Sequence, residues 1–85
     1  MKEFKYVITD PEGIHARPAG LIVKAVKEFA CDIKIGKGDK MMNSKAIFGV
    51  MGLGAKQGEE VTLTFDGEDE DAAYDAISKF MQENL

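Results

Sequence analysis

The run EVTLTFDG at residues 60–67 has the clearest local pattern in this sequence. Apolar side chains at Val61, Leu63 and Phe65 alternate with polar side chains, and alternation with a period of two is typical of a strand with one buried face. The Asp66-Gly67 pair then supplies turn residues. The run therefore predicts a strand in a sheet whose second face is open to solvent.

Three further segments have a strand pattern. Alternation of Phe4, Tyr6 and Ile8 predicts a first strand over residues 2–9, which the turn residues 9–13 end. The alternating segment 31–35, the glycine-rich connection 36–39 and the segment 40–43 predict a hairpin. With the strand at 61–65, these segments give four strands.

Helical spacing of apolar residues marks the remaining segments. It predicts a first helix over 16–28, a short helix from Ala46 that Gly54 ends, and a last helix from the acidic run 68–71 almost to Leu85. The predicted buried faces are Ala19, Ile22, Val23, Val26 and Phe29; Ile47, Val50 and Met51; and Ala73, Ile77 and Phe80. The order βαββαβα predicts an α+β fold in which one antiparallel sheet has helices on one face.

Length and composition restrict the class of protein. With 85 residues, the chain predicts one domain over residues 1–85. No apolar run is long enough to span a membrane, and residues 1–5 show no apolar signal region, so we expect a cytoplasmic protein without membrane insertion. Cys31 is the only cysteine, which excludes an internal disulfide and a multi-cysteine metal site within this chain. We expect no cofactor and no metal.

Charge is unevenly distributed along the chain. The formal net charge is −4, which disfavours nucleic acid as a partner. Residues 1–58 nevertheless carry ten Lys/Arg against six Asp/Glu, whereas residues 59–85 carry one against nine. The basic part is therefore suited to an acidic partner, although two solvated faces would give the same split.

The only histidine, His15, lies in the run GIHARPA at residues 13–19. The run places His15 at the start of the first predicted helix, where unpaired backbone N–H groups and the helix dipole favour an anion. Arg17 adds a guanidinium whose donors match phosphate oxygens. This arrangement suits a transient phosphohistidine, although one His and one Arg alone are also typical of an unremarkable helix start.

A second element of interest is the run AIFGVMGLG that begins at Ala46. Phe48 lies off the apolar stripe of this helix, so its ring is a candidate for an exposed docking patch. The alternative is that Phe48 and Met51 fill the core. The lysines expected to form a basic rim around the patch are Lys24, Lys27 and Lys45.

These two runs together resemble the HPr phosphocarrier family of the bacterial phosphoenolpyruvate:sugar phosphotransferase system. The resemblance extends through the Glu68–Ala72 start of the last helix and needs no gap. It implies an open-faced β-sandwich of four antiparallel strands with three helices on one face, in agreement with the order of elements above.

The resemblance also implies function. In the family, the residue matching His15 accepts phosphate on Nδ1 from enzyme I and passes it to the IIA domains of sugar permeases, and Arg17 matches a residue that assists. Such a protein is a phosphoryl carrier in sugar transport and not an enzyme, and we expect a monomer. The residues implicated in partner docking are Gly20, Lys24, Lys27, Ile47, Phe48, Gly49, Met51 and Gly52.

The sequence departs from the family at one regulatory position. Where Firmicute members carry a serine that HPr kinase/phosphorylase phosphorylates, this chain has Ala46, which has no hydroxyl to modify. We therefore do not expect this kinase to act here, and Ser44 cannot be assumed to replace the missing site. A member outside that circuit, a paralogue and an engineered substitution all fit Ala46.

Two other classes of function stay open on the sequence. One is an HPr-like paralogue that serves a nitrogen-type or regulatory phosphotransfer chain, with the same histidine but other partners. The other is a protein-interaction or ligand-binding module in which His15 is incidental. The alternating strands and the absence of an Asp-Ser-Leu attachment site oppose an acyl carrier.

Overall fold

A computed structural model describes residues 1–14 and 16–85, with the backbone but not the side chain of Ile47. The elements are β1 (Lys2–Val7), α1 (Ala16–Val26), β2 (Asp32–Lys37), β3 (Lys40–Asn43), α2 (Ile47–Gly52), β4 (Glu60–Asp66) and α3 (Glu70–Asn84). The predicted βαββαβα order and α+β fold are confirmed.

The sheet has the strand order β1-β4-β2-β3, and every neighbouring pair is antiparallel. Strand β4 is central because it pairs with both β1 and β2. Its apolar residues Val61, Leu63 and Phe65 are all fully buried, and Phe65 pairs in register with Ile33 of β2. The three helices cover this face, whereas the intervening residues of β4 point to the open face, as the alternation predicted.

The helices contribute a set of core residues that differs in part from the predicted one. On α1 the buried residues are Pro18, Ala19, Ile22, Val23 and Val26, and on α3 they are Ala73, Ile77 and Met81. Phe80 was placed on the buried face but is only half-buried, because Met81 continues the i, i+4 row from Ile77 instead. Among the described residues, no helix is both long and apolar enough to cross a membrane.

Some predicted boundaries are wrong. Gly36 and Lys37, predicted in the hairpin connection, belong to β2. Strand β1 ends at Val7, not at residue 9, because Ile8 pairs irregularly: its N–H donates to Glu59 O, and its carbonyl accepts from Gly58 N–H. Helix α1 ends at Val26, not at residue 28. Phe29 therefore lies beyond the helix and is half-buried.

Asp69 connects the start of α3 to the segment between α1 and β2. Its carboxylate accepts hydrogen bonds from the backbone N–H groups of Ala30 at 2.8 Å and Cys31 at 2.9 Å. These hydrogen bonds, chiefly the one from Ala30, lower the pKa of Asp69 below its usual value. Burial raises the pKa of the neighbouring Cys31 thiol to about 11, so Cys31 is a buried, protonated side chain.

We predict that Asp69→Asn removes part of the acid sensitivity of folding. A carboxyl whose pKa is lower in the folded chain stabilises it above the ordinary pKa of 3.8, and this contribution disappears as the pH falls through the folded-state value. Asn retains one acceptor but turns an N–H₂ group toward a backbone N–H. Asp69→Asn should therefore unfold at a lower temperature than wild type at pH 7, and the difference should shrink toward pH 2.

The control is Glu68→Gln, which removes the same charge from an exposed neighbouring side chain. Thermal unfolding followed by circular dichroism between pH 2 and pH 7 measures all three proteins. A difference between Asp69→Asn and wild type that stays constant over this range would contradict the role given to Asp69.

Candidate functional site

The loop between β1 and α1 is a turn anchored to the end of α3. Gly13 N–H donates to Asp10 O at 2.9 Å, and Glu12 N–H donates to Asp10 Oδ1 at 2.8 Å. The carbonyl oxygen of Leu85 accepts the backbone N–H groups of Thr9 and Asp10, and also the Thr9 hydroxyl at 2.7 Å. The loop that leads to His15 is therefore fixed at its start.

A close backbone contact fixes the other end of this loop. Gly13 has a φ of 68°, and a Cβ atom there would lie 2.3 Å from Ala55 O, so only glycine fits. The next residue, the buried Ile14, donates its N–H to the same Ala55 oxygen at 2.9 Å. Because Ala55 follows α2, the start of α1 is tied to the segment that ends α2.

Helix α1 begins at Ala16, the residue directly after His15 in the sequence. At a helix start, the first N–H groups have no carbonyl partner within the helix, and they carry the positive end of the dipole. Pro18 in this first turn has no N–H to leave unpaired. His15 itself lies outside the described residues, so the prediction of phosphorylation at its Nδ1 stays a prediction.

Arg17 is exposed in the first turn of α1 and borders an open cleft of about 260 Å³. Within the described ranges 1–14 and 16–85, its guanidinium has no hydrogen bond or ion pair. The guanidinium is therefore available to an anion in this cleft. The cleft is lined by Asp10, Arg17, Pro18, Leu21 and Asn84.

Helix α2 presents an aromatic ring to solvent. Val50 is fully buried, whereas Phe48 is 86% exposed and Met51 is 38% exposed. The core-filler alternative is therefore wrong for Phe48. The placement of Met51 on the inward stripe is also wrong, because a helix of one and a half turns anchored through Val50 turns Met51 toward its rim.

Lysines from the hairpin hold the end of α2. Lys40 Nζ donates to Gly52 O at 3.2 Å, and Lys37 Nζ donates to Gly54 O at 3.4 Å. Gly54 has a φ of 62° and ends the helix as predicted. These contacts stabilise a short helix whose own sequence, with two glycines, favours it weakly.

The other residues implied for partner docking lie on α1 and α2. Lys24, Lys27 and Gly52 are exposed, Gly20 and Gly49 are partly exposed, and the side chain of Ile47 lies outside the described part of the chain. Lys45 was expected on the basic rim, but its Nζ donates to Phe29 O at 2.7 Å, just after the end of α1. The Lys45 side chain therefore connects the segment before α2 to the end of α1.

Ala46, at the family's regulatory position, and the nearby Ser44 differ in exposure. Ala46 is exposed at the N-cap of α2, where no side chain caps the helix. Ser44 is fully buried, and its hydroxyl donates to Ile33 O at 2.6 Å. The fold therefore places the Ser44 hydroxyl in the core.

Comparisons with known proteins identify the family. The family model described as the PTS HPr component phosphorylation site matches residues 2–83. The phosphocarrier protein HPr of Lysinibacillus sphaericus is 45% identical over 83 residues, which are 98% of this chain and 94% of that protein. The fold is therefore that of a small phosphocarrier. The chain belongs to the HPr family of the phosphotransferase system.

Solved structures agree with this assignment. The histidine-containing phosphocarrier protein of Mycoplasma superposes with a TM-score of 0.92 at 39% identity, over 96% of this chain and 93% of that one. Crh of Bacillus subtilis, a catabolite repression protein solved as a swapped, intertwined dimer, gives a TM-score of 0.78 at 36% identity, over 100% and 98% of the two chains.

Of the polar residues that line the Arg17 cleft, sequence reasoning missed two, Asp10 and Asn84. The sequence predicts Asp10 only as a turn residue; its Oδ1 does accept a hydrogen bond within the turn, but the residue also lines the cleft. Asn84 reaches the cleft from the far end of the chain. A signal for Asp10 existed in its closeness to Arg17 in sequence, whereas the position of Asn84 depends on the packing of α3.

We predict that Ala46→Ser stabilises the fold. A serine at the N-cap of α2 can accept a hydrogen bond from an unpaired N–H of the first turn, which Ala46 cannot do. The free energy of unfolding should rise by about 0.5–1 kcal/mol in urea titrations. Ala76→Ser, the same change at an exposed position inside α3, is the control and should not stabilise. An Ala46→Ser midpoint equal to or below that of wild type would contradict this prediction.

Proposed function

We propose that the chain carries a phosphoryl group on Nδ1 of His15, accepts it from enzyme I and passes it to IIA domains of sugar permeases. The supporting observation is the Arg17 guanidinium, which has no partner among the described residues and borders an open cleft at the start of α1. In each transfer the imidazole nitrogen forms a bond to phosphorus while the bond between phosphorus and the donor breaks. Donation to the acceptor reverses this step, so the chain is a carrier and not an enzyme.

The local groups suit this chemistry. The N–H groups in the first turn of α1 and the forked donors of Arg17 offer hydrogen bonds to phosphoryl oxygens. The same positive charges favour the neutral, nucleophilic imidazole before transfer. The cleft is open, so a partner can approach the phosphoryl group from solvent.

The docking surface for both partners is proposed to centre on the exposed Phe48 ring. The partly exposed Met51 extends the apolar area, and Lys24 and Lys27 add positive charge. An aromatic anchor surrounded by basic side chains suits an acidic partner with an apolar pocket. The remaining residues proposed for this surface are Gly20, Ile47, Gly49 and Gly52.

A second candidate is a carrier for a nitrogen-type or regulatory phosphotransfer chain. It is favoured by Ala46, because the family's regulatory serine is absent. Phosphorylated protein mixed with a sugar-specific IIA protein distinguishes the two. Rapid transfer supports the sugar pathway, and transfer only to a nitrogen-type acceptor supports the alternative. Under both, HPr kinase/phosphorylase is proposed to leave the chain unmodified, because Ala46 lacks a hydroxyl and Ser44 is buried.

We propose a monomeric carrier formed by one domain over residues 1–85. The supporting observation is that β1 pairs with β4 of the same chain along all six of its residues, so the sheet needs no strand from a second copy. The swapped dimer of Crh is the contrasting arrangement. Light scattering coupled to size-exclusion chromatography distinguishes a monomer from a dimer. A cytoplasmic location stays a prediction.

We predict that Arg17→Ala slows phosphotransfer much more than it changes stability. The side chain is exposed, but it can form charge-assisted contacts with the transferring group, so its loss should raise the barrier by about 2–4 kcal/mol, roughly 30- to 900-fold in rate. Rapid-quench transfer from phosphorylated enzyme I measures the rate. Arg17→Lys, which keeps the charge but loses the fork, should lie between. Equal rates for wild type and Arg17→Ala would remove Arg17 from the mechanism.

We predict that Phe48→Glu weakens docking to enzyme I while the unfolding midpoint stays nearly unchanged. The ring is 86% exposed, so folding loses little apolar contact, whereas an acidic side chain repels an acidic partner. Titration calorimetry with enzyme I measures affinity. Thr62→Glu adds the same charge to the open sheet face, opposite Lys5, and should bind like wild type. Unchanged affinity for Phe48→Glu would place the docking surface elsewhere.

A further inference from the structure

The Arg17 cleft is lined by an acidic residue as well as a basic one. Arg17, Pro18 and Leu21 form the side that belongs to α1, and Asp10 borders the same space from the loop after β1. Asn84 borders it from α3, and its amide N–H₂ donates to Phe80 O at 3.0 Å. An acidic residue therefore borders the same cleft as Arg17, the guanidinium proposed to hold the phosphate.

The carboxylate of Asp10 is held in place. Its Oδ1 accepts Glu12 N–H at 2.8 Å, and its backbone carbonyl accepts Gly13 N–H at 2.9 Å. Its own N–H donates to Leu85 O at 2.9 Å. With the backbone fixed on both sides and one carboxylate oxygen bonded, the negative charge cannot easily move away from the cleft.

We propose that Asp10 is a positioning residue that weakens retention of the phosphoryl group and so raises its transfer potential. This inference rests on the proposed function, in which His15 carries the group beside Arg17. A phosphoryl group brings nearly two negative charges. A fixed carboxylate on the same cleft repels them, and it also attracts the guanidinium that would hold them. Both effects favour release to an acceptor.

The size of the effect follows from the openness of the cleft. Its volume of about 260 Å³ is several times the ~30 Å³ share of one water, so water fills it and screens the charges. We therefore expect a modest change, of about two- to fivefold in the phosphorylation equilibrium, when the charge of Asp10 is removed. The change should become smaller at high salt.

Asp10→Asn isolates the charge because the amide keeps an Oδ1 acceptor for Glu12 N–H. Unlabelled Asp10→Asn is mixed with ¹⁵N-labelled wild type, a catalytic amount of enzyme I and too little phosphoenolpyruvate to phosphorylate both. Intact mass at neutral pH gives the phosphorylated fraction of each protein after equilibrium. The phosphorylated-to-free ratio of Asp10→Asn should exceed that of wild type two- to fivefold, and the excess should fall in 0.5 M KCl.

Asp66→Asn is the matched control. Glu60, at the start of β4, pairs with Val7 just before the loop that contains Asp10, and Asp66 lies about 20 Å away at the other end of that strand. Its ratio should equal that of wild type. The comparison is an equilibrium between folded forms, so a slower transfer rate or a stability loss shared by both forms does not alter it. If Asp10→Asn does not fold, Asp10→Ser supplies a neutral side chain that can still accept the turn hydrogen bond.

The outcomes separate this inference from the proposed function. Phosphorylated wild type with an Asp10→Asn ratio at or below that of wild type overturns the role of Asp10 alone. An excess equal to that of Asp66→Asn does the same, because the effect would then follow net charge and not the cleft. No phosphorylation of wild type by enzyme I overturns the proposed function and the inference together.

Discussion

The close approach of Gly13 to Ala55 is the constraint on which the functional surface depends. A side chain at residue 13 would collide with the Ala55 carbonyl, and the same oxygen accepts the N–H of Ile14. The contact joins the loop that starts α1 to the segment that follows α2. The two elements proposed to carry the phosphoryl group and the docking ring are thereby held in one arrangement, although 28 residues lie between Arg17 and Ala46 in the sequence.

The rest of the fold supports that arrangement from below. The buried face of β4 and the anchoring residues of the three helices form one apolar core, and the exposed side chains of Arg17 and Phe48 lie outside it. Helix α2 is short and rich in glycine, so it depends on Val50 in the core and on Lys37 and Lys40 at its end. Phe48 can stay exposed because these contacts stabilise the helix without it.

Sequence reasoning predicted most of this fold and part of the site. Alternation located three of the four strands, because a half-buried sheet imposes a period of two, and β3 was predicted from the hairpin connection before it. It failed at Phe80 and Met51, where the choice between neighbouring helix positions depends on how the helix sits on the sheet. It also missed the cleft formed by Asp10 and Asn84, because contacts between distant chain segments leave no periodic signal. Family resemblance supplied the roles of His15 and Arg17, which local physics left open.

The most direct measurement is the intact mass of the protein after incubation with enzyme I and phosphoenolpyruvate at neutral pH. Wild type should gain one phosphoryl group, that group should be labile to acid, and addition of a IIA protein should remove it. His15→Ala should show no gain, because no other histidine exists in the chain. An acid-labile phosphoryl group on His15→Ala, or an unmodified wild type, would contradict the assignment of this chain as a carrier that works through His15.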